Sequence, residues 1–429
     1  MAPSIKRWDA FVIPGDSPRQ GMVCSKRIGW TLFPVGSARP PLRRSMYDPN
    51  RIACFFSTSG HSGVDRAARH LIPALARRGY DVDLLKVRRH GPHLDCEHGE
   101  CPPGVAIVDL GSRHTYGSLG AVVRYLRRTQ PAVLLADKDR VNRTALLARL
   151  LSRQNTRLIL SSGTTISIDL ATRGALERWV QRNSMGRLYP LADRVIVTSA
   201  GVADDMACYT GLDRQLISVV PSPVVPETLF ENRQHPPDHP WFGDPQRPLI
   251  LSVGELCARK GFDVLLKAFA RVRATRPCRL MILGRGNARD RLLALAGELG
   301  VSEDFALPGF VRAPYAWMAH ANLFAFTSRW EGLGFVIIEA LAVGTPVVAT
   351  DCPSGPREIL ANGSYGELVA VDDDAALARA MLATLDAPPA REFLQNAARP
   401  YEIEAATNAY LDAFGLPHKA LRAKPVAKP

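Results

Sequence analysis

Short apolar runs alternate with stretches of helical periodicity in the first half of the chain. Residues 51–57 are typical of a buried strand, and 64–78 follow with Ala67, Leu71 and Leu75 on one helical face. The same signals predict strands at 82–87, 106–110, 132–136, 157–161 and 194–198, and helices at 119–128 and 142–151. Strands that alternate with helices favour a parallel, doubly wound sheet.

The alternation stops at two proline-rich segments, 219–226 and 236–248, and then resumes. The second half predicts strands at 249–253, 279–283, 305–307, 323–327 and 346–350, helices at 262–274, 289–299, 314–319 and 335–341, and a last amphipathic helix at 401–414. A chain of 429 residues is long enough for two domains with separate cores. We therefore predict an α/β protein in which two Rossmann-like, doubly wound domains face each other across a cleft.

The predicted domain limits follow these breaks. The first domain covers 49–226 and the second 227–399, and the helix at 400–416 crosses back to the first. Residues 1–48 interleave Pro, Gly, Ser and Arg without periodicity, which predicts a disordered extension. The Lys- and Pro-rich end, 417–429, predicts a flexible tail.

The composition, 46% hydrophobic and 22% charged, is that of a globular protein. No apolar run approaches the roughly 20 residues that span a bilayer, and the start lacks a secretory signal. The eight cysteines are scattered without a framework spacing, as free thiols in a reducing compartment are. We therefore expect a cytoplasmic protein. Its positive charge is also compatible with a peripheral position at the inner face of the membrane.

The net charge of +13 lies entirely in the first half. Residues 1–230 hold 32 Lys and Arg against 19 Asp and Glu, whereas the remainder is balanced. Two explanations fit this excess equally: a general preference of the genome for arginine, or a function that needs positive charge. The functional interpretation is contact with an anionic membrane surface, a lipid-linked phosphate or an acidic glycan. A nucleic-acid partner is not expected, because no recognition motif is present.

Distinctive residues follow the predicted strands of the second half. Arg259 and Lys260 come after 249–253, and Glu331 follows 323–327, just before a helix that contains Glu339. The carboxyl ends of parallel strands meet at one edge of a sheet, where ligands bind. A carboxylate within an apolar helix is costly unless it has a partner. Two carboxylates about 10 Å apart suit one ligand with two polyol parts.

A phosphate would complete such a ligand. The backbone N–H groups of Gly334 and Phe335 begin the predicted helix and would face it, since helix N-termini bind anions. Lys260, with Arg259, would supply the countercharge.

The segment EGLGFVIIEALA, residues 331–342, resembles the Glu-x7-Glu motif of the family 4 retaining glycosyltransferases, which have the GT-B fold. The similarity continues through 344–360 and back to 253–265. Weaker similarity links 62–66 to the family's glycine loop and 192–199 to the last strand of its first domain. The resemblance thus covers about 50–416.

This resemblance implies a role for each matching residue. Glu331 would contact the donor sugar, and Lys260 would neutralise the diphosphate as the glycosidic bond breaks; these are the predicted catalytic residues. The predicted donor-binding residues are Gly63, Arg259, Gly284, Gly334, Phe335 and Glu339, of which Glu339 would bond the ribose hydroxyls and Gly63 would let backbone approach the diphosphate. Glu255 stands where the family commonly has a second phosphate-binding arginine, and Arg259 is expected to compensate.

The predicted function is transfer of a hexosyl or N-acetylhexosaminyl group, with retention, from a nucleotide-diphosphate sugar, with UDP-sugars favoured. The acceptor would be a hydroxyl of a glycan or lipid-linked molecule in cell-envelope or extracellular polysaccharide synthesis, bound by the first domain. No metal or other cofactor is expected. The alternatives are a GT-B sugar phosphorylase, a nucleotide-sugar epimerase and a non-catalytic nucleotide-sugar-binding protein. A glycoside hydrolase is disfavoured, because it needs no diphosphate-binding groups.

Overall fold

The computed structural model describes residues 47–57, 63–87, 91–92, 94, 101–171, 173–231, 235–244 and 246–421. The predicted extension, 1–48, lies outside these residues except for Tyr47 and Asp48, and Asp48 begins the first strand. The strands form two separate parallel sheets, one from each half of the chain.

The first sheet has seven parallel strands in the order β3-β2-β1-β4-β5-β6-β7. They are β1 (Asp48–Phe56), β2 (Asp81–Lys86), β3 (Val105–Asp109), β4 (Pro131–Asp137), β5 (Arg157–Ser162), β6 (Arg194–Val197) and β7 (Ile217–Val219). All seven residues of β4 are buried. A strand covered on both faces explains why these runs are continuously apolar rather than alternating.

Helices cover both faces of this sheet. They are α1 (Gly63–Arg77), α2 (Leu119–Thr129), α3 (Asp139–Ser152), α4 (Ile166–Ala171), α5 (Ala175–Leu188) and α6 (Ala200–Thr210). The short α7 (Thr228–Glu231) follows the last strand, and its Leu229 packs in a core of the second sheet. One core joins β1, β4 and β5 to α2–α6, and a second core on the opposite face joins the sheet to α1. The outer sides of α2, α3 and α5 therefore belong to one face of the protein.

The second sheet has six parallel strands in the order β10-β9-β8-β11-β12-β13. They are β8 (Leu249–Val253), β9 (Arg279–Leu283), β10 (Phe305–Gly309), β11 (Leu323–Phe326), β12 (Val347–Thr350) and β13 (Glu367–Val369). The helices are α8 (Phe262–Thr275), α9 (Arg289–Glu298), α10 (Tyr315–Ala319), α11 (Phe335–Ala342), α12 (Pro356–Ile359), α13 (Asp374–Asp386) and α14 (Arg391–Asn396). Its two cores lie on opposite faces.

The last helix, α15 (Ile403–Phe414), leaves the second domain and packs on the first, as the resemblance implies. Phe414 is completely buried in the core that contains α1. The two crossings between domains lie side by side, because the N–H groups of Val224 and Val225 both donate to the Tyr401 carbonyl, at 2.9 and 3.0 Å. The predicted tail is described through Leu421, and the Tyr80 hydroxyl donates to the Pro417 carbonyl at 2.6 Å.

Each predicted strand and helix is present, with ends that differ by at most three residues. The fold prediction of two doubly wound domains is therefore confirmed. Several elements were not predicted: α4–α7, β7, β13 and α12–α14. Among the described residues, no helix combines the length and apolar character that crossing a membrane requires.

Candidate active site

A cleft of about 1300 Å³ separates the carboxyl edges of the two sheets. Both domains line it, with Asp137 and Ser161 among the residues of the first and Lys260 and Glu331 among those of the second. All the predicted site residues lie on its walls: Gly63, Arg259, Lys260, Gly284, Glu331, Gly334, Phe335 and Glu339. The sheet edges thus bring together residues more than 270 positions apart.

Glu331 is the centre of a partly buried charge cluster. Its Oε1 atom lies 2.5 Å from Lys260 Nζ and 2.8 Å from an Arg259 guanidinium nitrogen, and it accepts the Ser328 hydroxyl at 2.8 Å. Burial acts to raise the pKa of Glu331, but the charges of Lys260 and Arg259 and these hydrogen bonds outweigh it and hold the pKa below its usual range. The carboxylate therefore remains ionised with two cations against it.

Backbone contacts hold the Lys260 loop against the end of β11. The Thr327 hydroxyl donates to the Lys260 carbonyl at 2.9 Å, and the Arg329 N–H donates to the Arg259 carbonyl at 2.8 Å. The Lys260 ammonium also lies 5.6 Å from the centroid of the Phe326 ring. The two neighbouring strand endings are thus tied together, and both cations are fixed on the wall of the cleft.

Glu339 lies on α11 with no solvent exposure. Arg66 of the first domain forms an ion pair with its Oε1 atom, while its Oε2 atom has no hydrogen-bond partner among the described residues. The Arg66 guanidinium also lies 5.8 Å from the Phe335 ring centroid. A buried carboxylate with an unsatisfied oxygen is costly, so ligand hydroxyls that reach it would be bound favourably.

Gly334 is the N-cap of α11, with φ of 97°, and Phe335 is the first residue of that helix, as predicted. Gly284 lies against β8, where an added Cβ would stand 1.8 Å from the Gly254 carbonyl oxygen. Gly63 begins α1, and a Cβ there would meet only the Phe335 ring, at 3.7 Å. Glu255, which replaces the expected arginine, also lines the cleft.

The two domains touch at the floor of the cleft. The Thr165 hydroxyl donates to the Glu331 carbonyl and the Ser199 hydroxyl to the Gly332 carbonyl, each at 2.9 Å. Gly332 comes so near Gly163 that an added Cβ would lie 1.8 Å from the Gly163 carbonyl oxygen. The loop after β11, which carries Glu331 and Gly332, is therefore held directly by the first domain.

Asp137 lines the cleft, although it is not among the predicted site residues. Asp139 lies only two positions further along the chain, but the two carboxylates have different surroundings. Asp139 pairs with Arg143, whereas Asp137 is 5% exposed and its Oδ1 atom has no partner among the described residues. Burial raises the pKa of Asp137, against a hydrogen bond from Ser161.

Arg66 was also missed as a site residue, although it closes the glycine-loop segment that carries the resemblance. Its importance depends on a contact with the other domain, and no sequence spacing reports such a contact. Within the described part of the chain, no three His, Cys, Asp or Glu side chains are placed to hold a metal ion.

Comparison with known proteins settles the family. Residues 239–400 match the model of glycosyl transferases group 1, and residues 61–228 match that of glycosyltransferase family 4. A relative from Campylobacter jejuni is 32% identical over 81% of this chain and 94% of its own length. It is N-acetylgalactosamine-N,N'-diacetylbacillosaminyl-diphospho-undecaprenol 4-alpha-N-acetylgalactosaminyltransferase. The chain belongs to glycosyltransferase family 4.

Solved structures show the same GT-B fold for this glycosyltransferase. The apo form of the lipopolysaccharide outer core galactosyltransferase WaaB matches with a TM-score of 0.64 at 18% identity, over 85% of this chain and 99% of that one. Anabaena HepE, solved with UDP and glucose, matches with a TM-score of 0.65 at 17% identity over the same shares. The predictions of family, fold and enzyme class are confirmed.

Proposed function

We propose that this glycosyltransferase moves a sugar, with retention, from a UDP-sugar to a hydroxyl of a glycan or lipid-linked acceptor in cell-envelope or extracellular polysaccharide synthesis. The observation that carries the proposal is the pairing of Lys260 and Arg259 with Glu331, in one cleft with the unsatisfied carboxylate of Glu339. Cations for a diphosphate and two carboxylates for polyols are what a nucleotide-sugar donor requires.

The proposed roles follow from charge. As the anomeric carbon–phosphate oxygen bond breaks, negative charge develops on the nucleoside diphosphate, and Lys260, Arg259 and the first amides of α11 would stabilise it. The acceptor oxygen bonds the anomeric carbon from the same face, and its proton passes to the departing phosphate oxygen. Glu331 would hold the sugar hydroxyls and Glu339 the ribose hydroxyls. No protein nucleophile is required in this scheme.

The comparisons support the choice of donor and acceptor class. HepE has been solved with UDP and with UDP-glucose, and the name of the Campylobacter relative specifies a diphospho-undecaprenol acceptor. The arginine-rich first half suits such an anionic acceptor, and we accordingly propose action at the cytoplasmic face of a membrane.

A nucleotide-release screen tests this proposal. Purified protein is offered UDP-, GDP- and ADP-sugars, with and without lipid-linked oligosaccharide acceptors, and the anomeric configuration of the product is read by NMR. We expect UDP release that depends on acceptor and gives the configuration of the donor. Phosphate-dependent sugar-1-phosphate would identify a phosphorylase, and an epimer formed without acceptor an epimerase. Donor binding without turnover would indicate a non-catalytic protein.

A further inference from the structure

Helix α5 exposes apolar side chains on the outside of the first domain. Leu176 is 75% exposed, Trp179 61% and Val180 42%. Residues three and four apart share a helix face, so these three side chains form one patch. The helix packs on the core through Met185. Single exposed apolar residues are ordinary, but three large ones together on one helix indicate a contact surface.

The same helix is basic. Arg178, Arg182 and Arg187 are exposed, and its acid, Glu177, has Arg173 3.9 Å away. Helices α2, α3 and α5, on one face of the first sheet, together carry nine arginines against two acidic residues. These three helices therefore hold +7 of the +13 charge excess of the first half, and exposed apolar side chains beside arginines suit an anionic membrane surface.

A hollow of about 450 Å³ lies beside the patch, between α5 and α6. Trp179, Arg182, Asn183, Arg187 and Thr210 line it. The Arg182 guanidinium lies 5.9 Å from the Tyr209 ring centroid. Two guanidinium groups and a side-chain amide at the rim are good partners for a phosphate, and an indole ring beside them suits the depth of lipid headgroups.

We propose that α5 docks the protein on an anionic phospholipid surface. Leu176, Trp179 and Val180 enter the boundary between headgroups and acyl chains, and Arg182 and Arg187 bind lipid phosphates at the hollow. Charge complementarity selects this occupant, because arginines that surround an apolar patch suit a layer of phosphates above acyl chains. The arginine stems also lie along apolar surface while their heads reach the phosphates.

Docking through α5 would also affect how the acceptor reaches the cleft, and this inference rests on the proposed function. Thr165 and Asp169, at the start of α4, line the cleft, and α5 begins six residues after Asp169. A short segment therefore joins the apolar patch at the start of α5 to the first-domain wall of the cleft, and a lipid-linked acceptor would reach the cleft from this side.

Vesicle co-sedimentation tests the docking itself. The full chain, without donor, is mixed with vesicles of phosphatidylcholine alone or with added phosphatidylglycerol. We expect binding only to the anionic vesicles, weakening as salt rises. A triple variant, Leu176→Ser, Trp179→Ser and Val180→Ser, should lose binding. A second variant, Arg178→Gln, Arg182→Gln and Arg187→Gln, should bind on the order of 10²-fold more weakly.

The matched control is Leu293→Ser with Arg291→Gln, on α9 of the second domain, where Leu293 is 43% exposed. It should bind like the unmodified chain, and all variants should keep their melting temperature. Absence of binding to anionic vesicles, or unchanged binding by the α5 variants, overturns the proposal. A dimer that only the α5 variants lose would assign the patch to a second copy instead. Because no donor is present, a failed donor screen leaves this result intact.

Discussion

The two walls of the cleft are built differently. On the second-domain wall, Arg259, Lys260 and Glu331 come from two adjacent strand endings, and the two cations lie 2.8 and 2.5 Å from Glu331. On the first-domain wall, the charged side chains come from separate elements: Arg66 and Arg69 from α1, Asp137 and Lys138 from the end of β4, and Asp169 from α4. The second domain therefore concentrates the charges that suit a fixed donor. The first domain supplies the contacts that close the cleft and charges that are spread over several elements, which suits an acceptor that differs between relatives.

The largest effect is expected on the second-domain wall, where the charges are concentrated. Lys260→Ala removes a cation from the proposed diphosphate site and leaves Glu331 with Arg259 as its remaining cation. Turnover in the nucleotide-release assay should fall by about 10²–10³, as for loss of one preorganised transition-state donor. Lys267→Ala, at an exposed position on α8, is the matched control and should stay active. Equal activity in both variants would remove Lys260 from the mechanism.

The junction of the two walls comes next. Gly332 does not have a positive φ, so alanine can adopt its backbone conformation, but the added Cβ would overlap the Gly163 carbonyl. Gly332→Ala should push the domains apart, lower kcat/KM by about 10²-fold, and raise the radius of gyration in X-ray scattering. Gly120→Ala, where a Cβ meets nothing within 4 Å, should change neither. Full activity of Gly332→Ala would show that this contact is absent from the working state.

A smaller effect is expected at the ribose position. Glu339→Gln keeps the shape of the side chain but removes the charge, so calorimetry should show donor affinity falling by about 10- to 100-fold while kcat changes less. Glu298→Ala, an exposed carboxylate on α9, is the control. A loss confined to kcat would move Glu339 from donor binding to chemistry.

The smallest effect concerns the first-domain wall. Because burial raises the folded-state pKa of Asp137, its ionisation opposes folding. Asp137→Asn should therefore increase the free energy of unfolding by about 1 kcal/mol near pH 7. The gain in stability should disappear as pH falls below about 4, because Asp137 is then protonated in the unfolded chain as well as in the folded protein. Denaturant titrations at the two pH values measure it, with exposed Asp109→Asn as control. A loss of stability at pH 7 would show that the carboxylate is satisfied.

The sequence predicts the second domain better than the first, and the reason is physical. Lys260, Glu331 and Glu339 lie in short continuous segments whose placement follows from the strand–helix alternation alone. Arg66 acquires its role from a contact with α11, and Asp137 from burial, which the adjacent Lys138 and Arg140 conceal in the sequence. Helix α5 was missed because its exposed face carries apolar residues, so its periodicity does not point to a buried side. The three-residue strands β7 and β13 are too short to give a signal.

The paired crossings at Val224–Val225 and Tyr401–Ile403 set a rule for building chimaeras. A parallel bridge joins Val225 to Glu402, and Ile403 donates its N–H to the Val225 carbonyl, so main-chain hydrogen bonds tie the two crossings together. An exchange of acceptor specificity between relatives must therefore replace both the chain up to this joint and the final helix α15. Cutting at one crossing alone would seat a foreign helix on the core around Phe414, whereas cutting at both keeps each core with its own sequence.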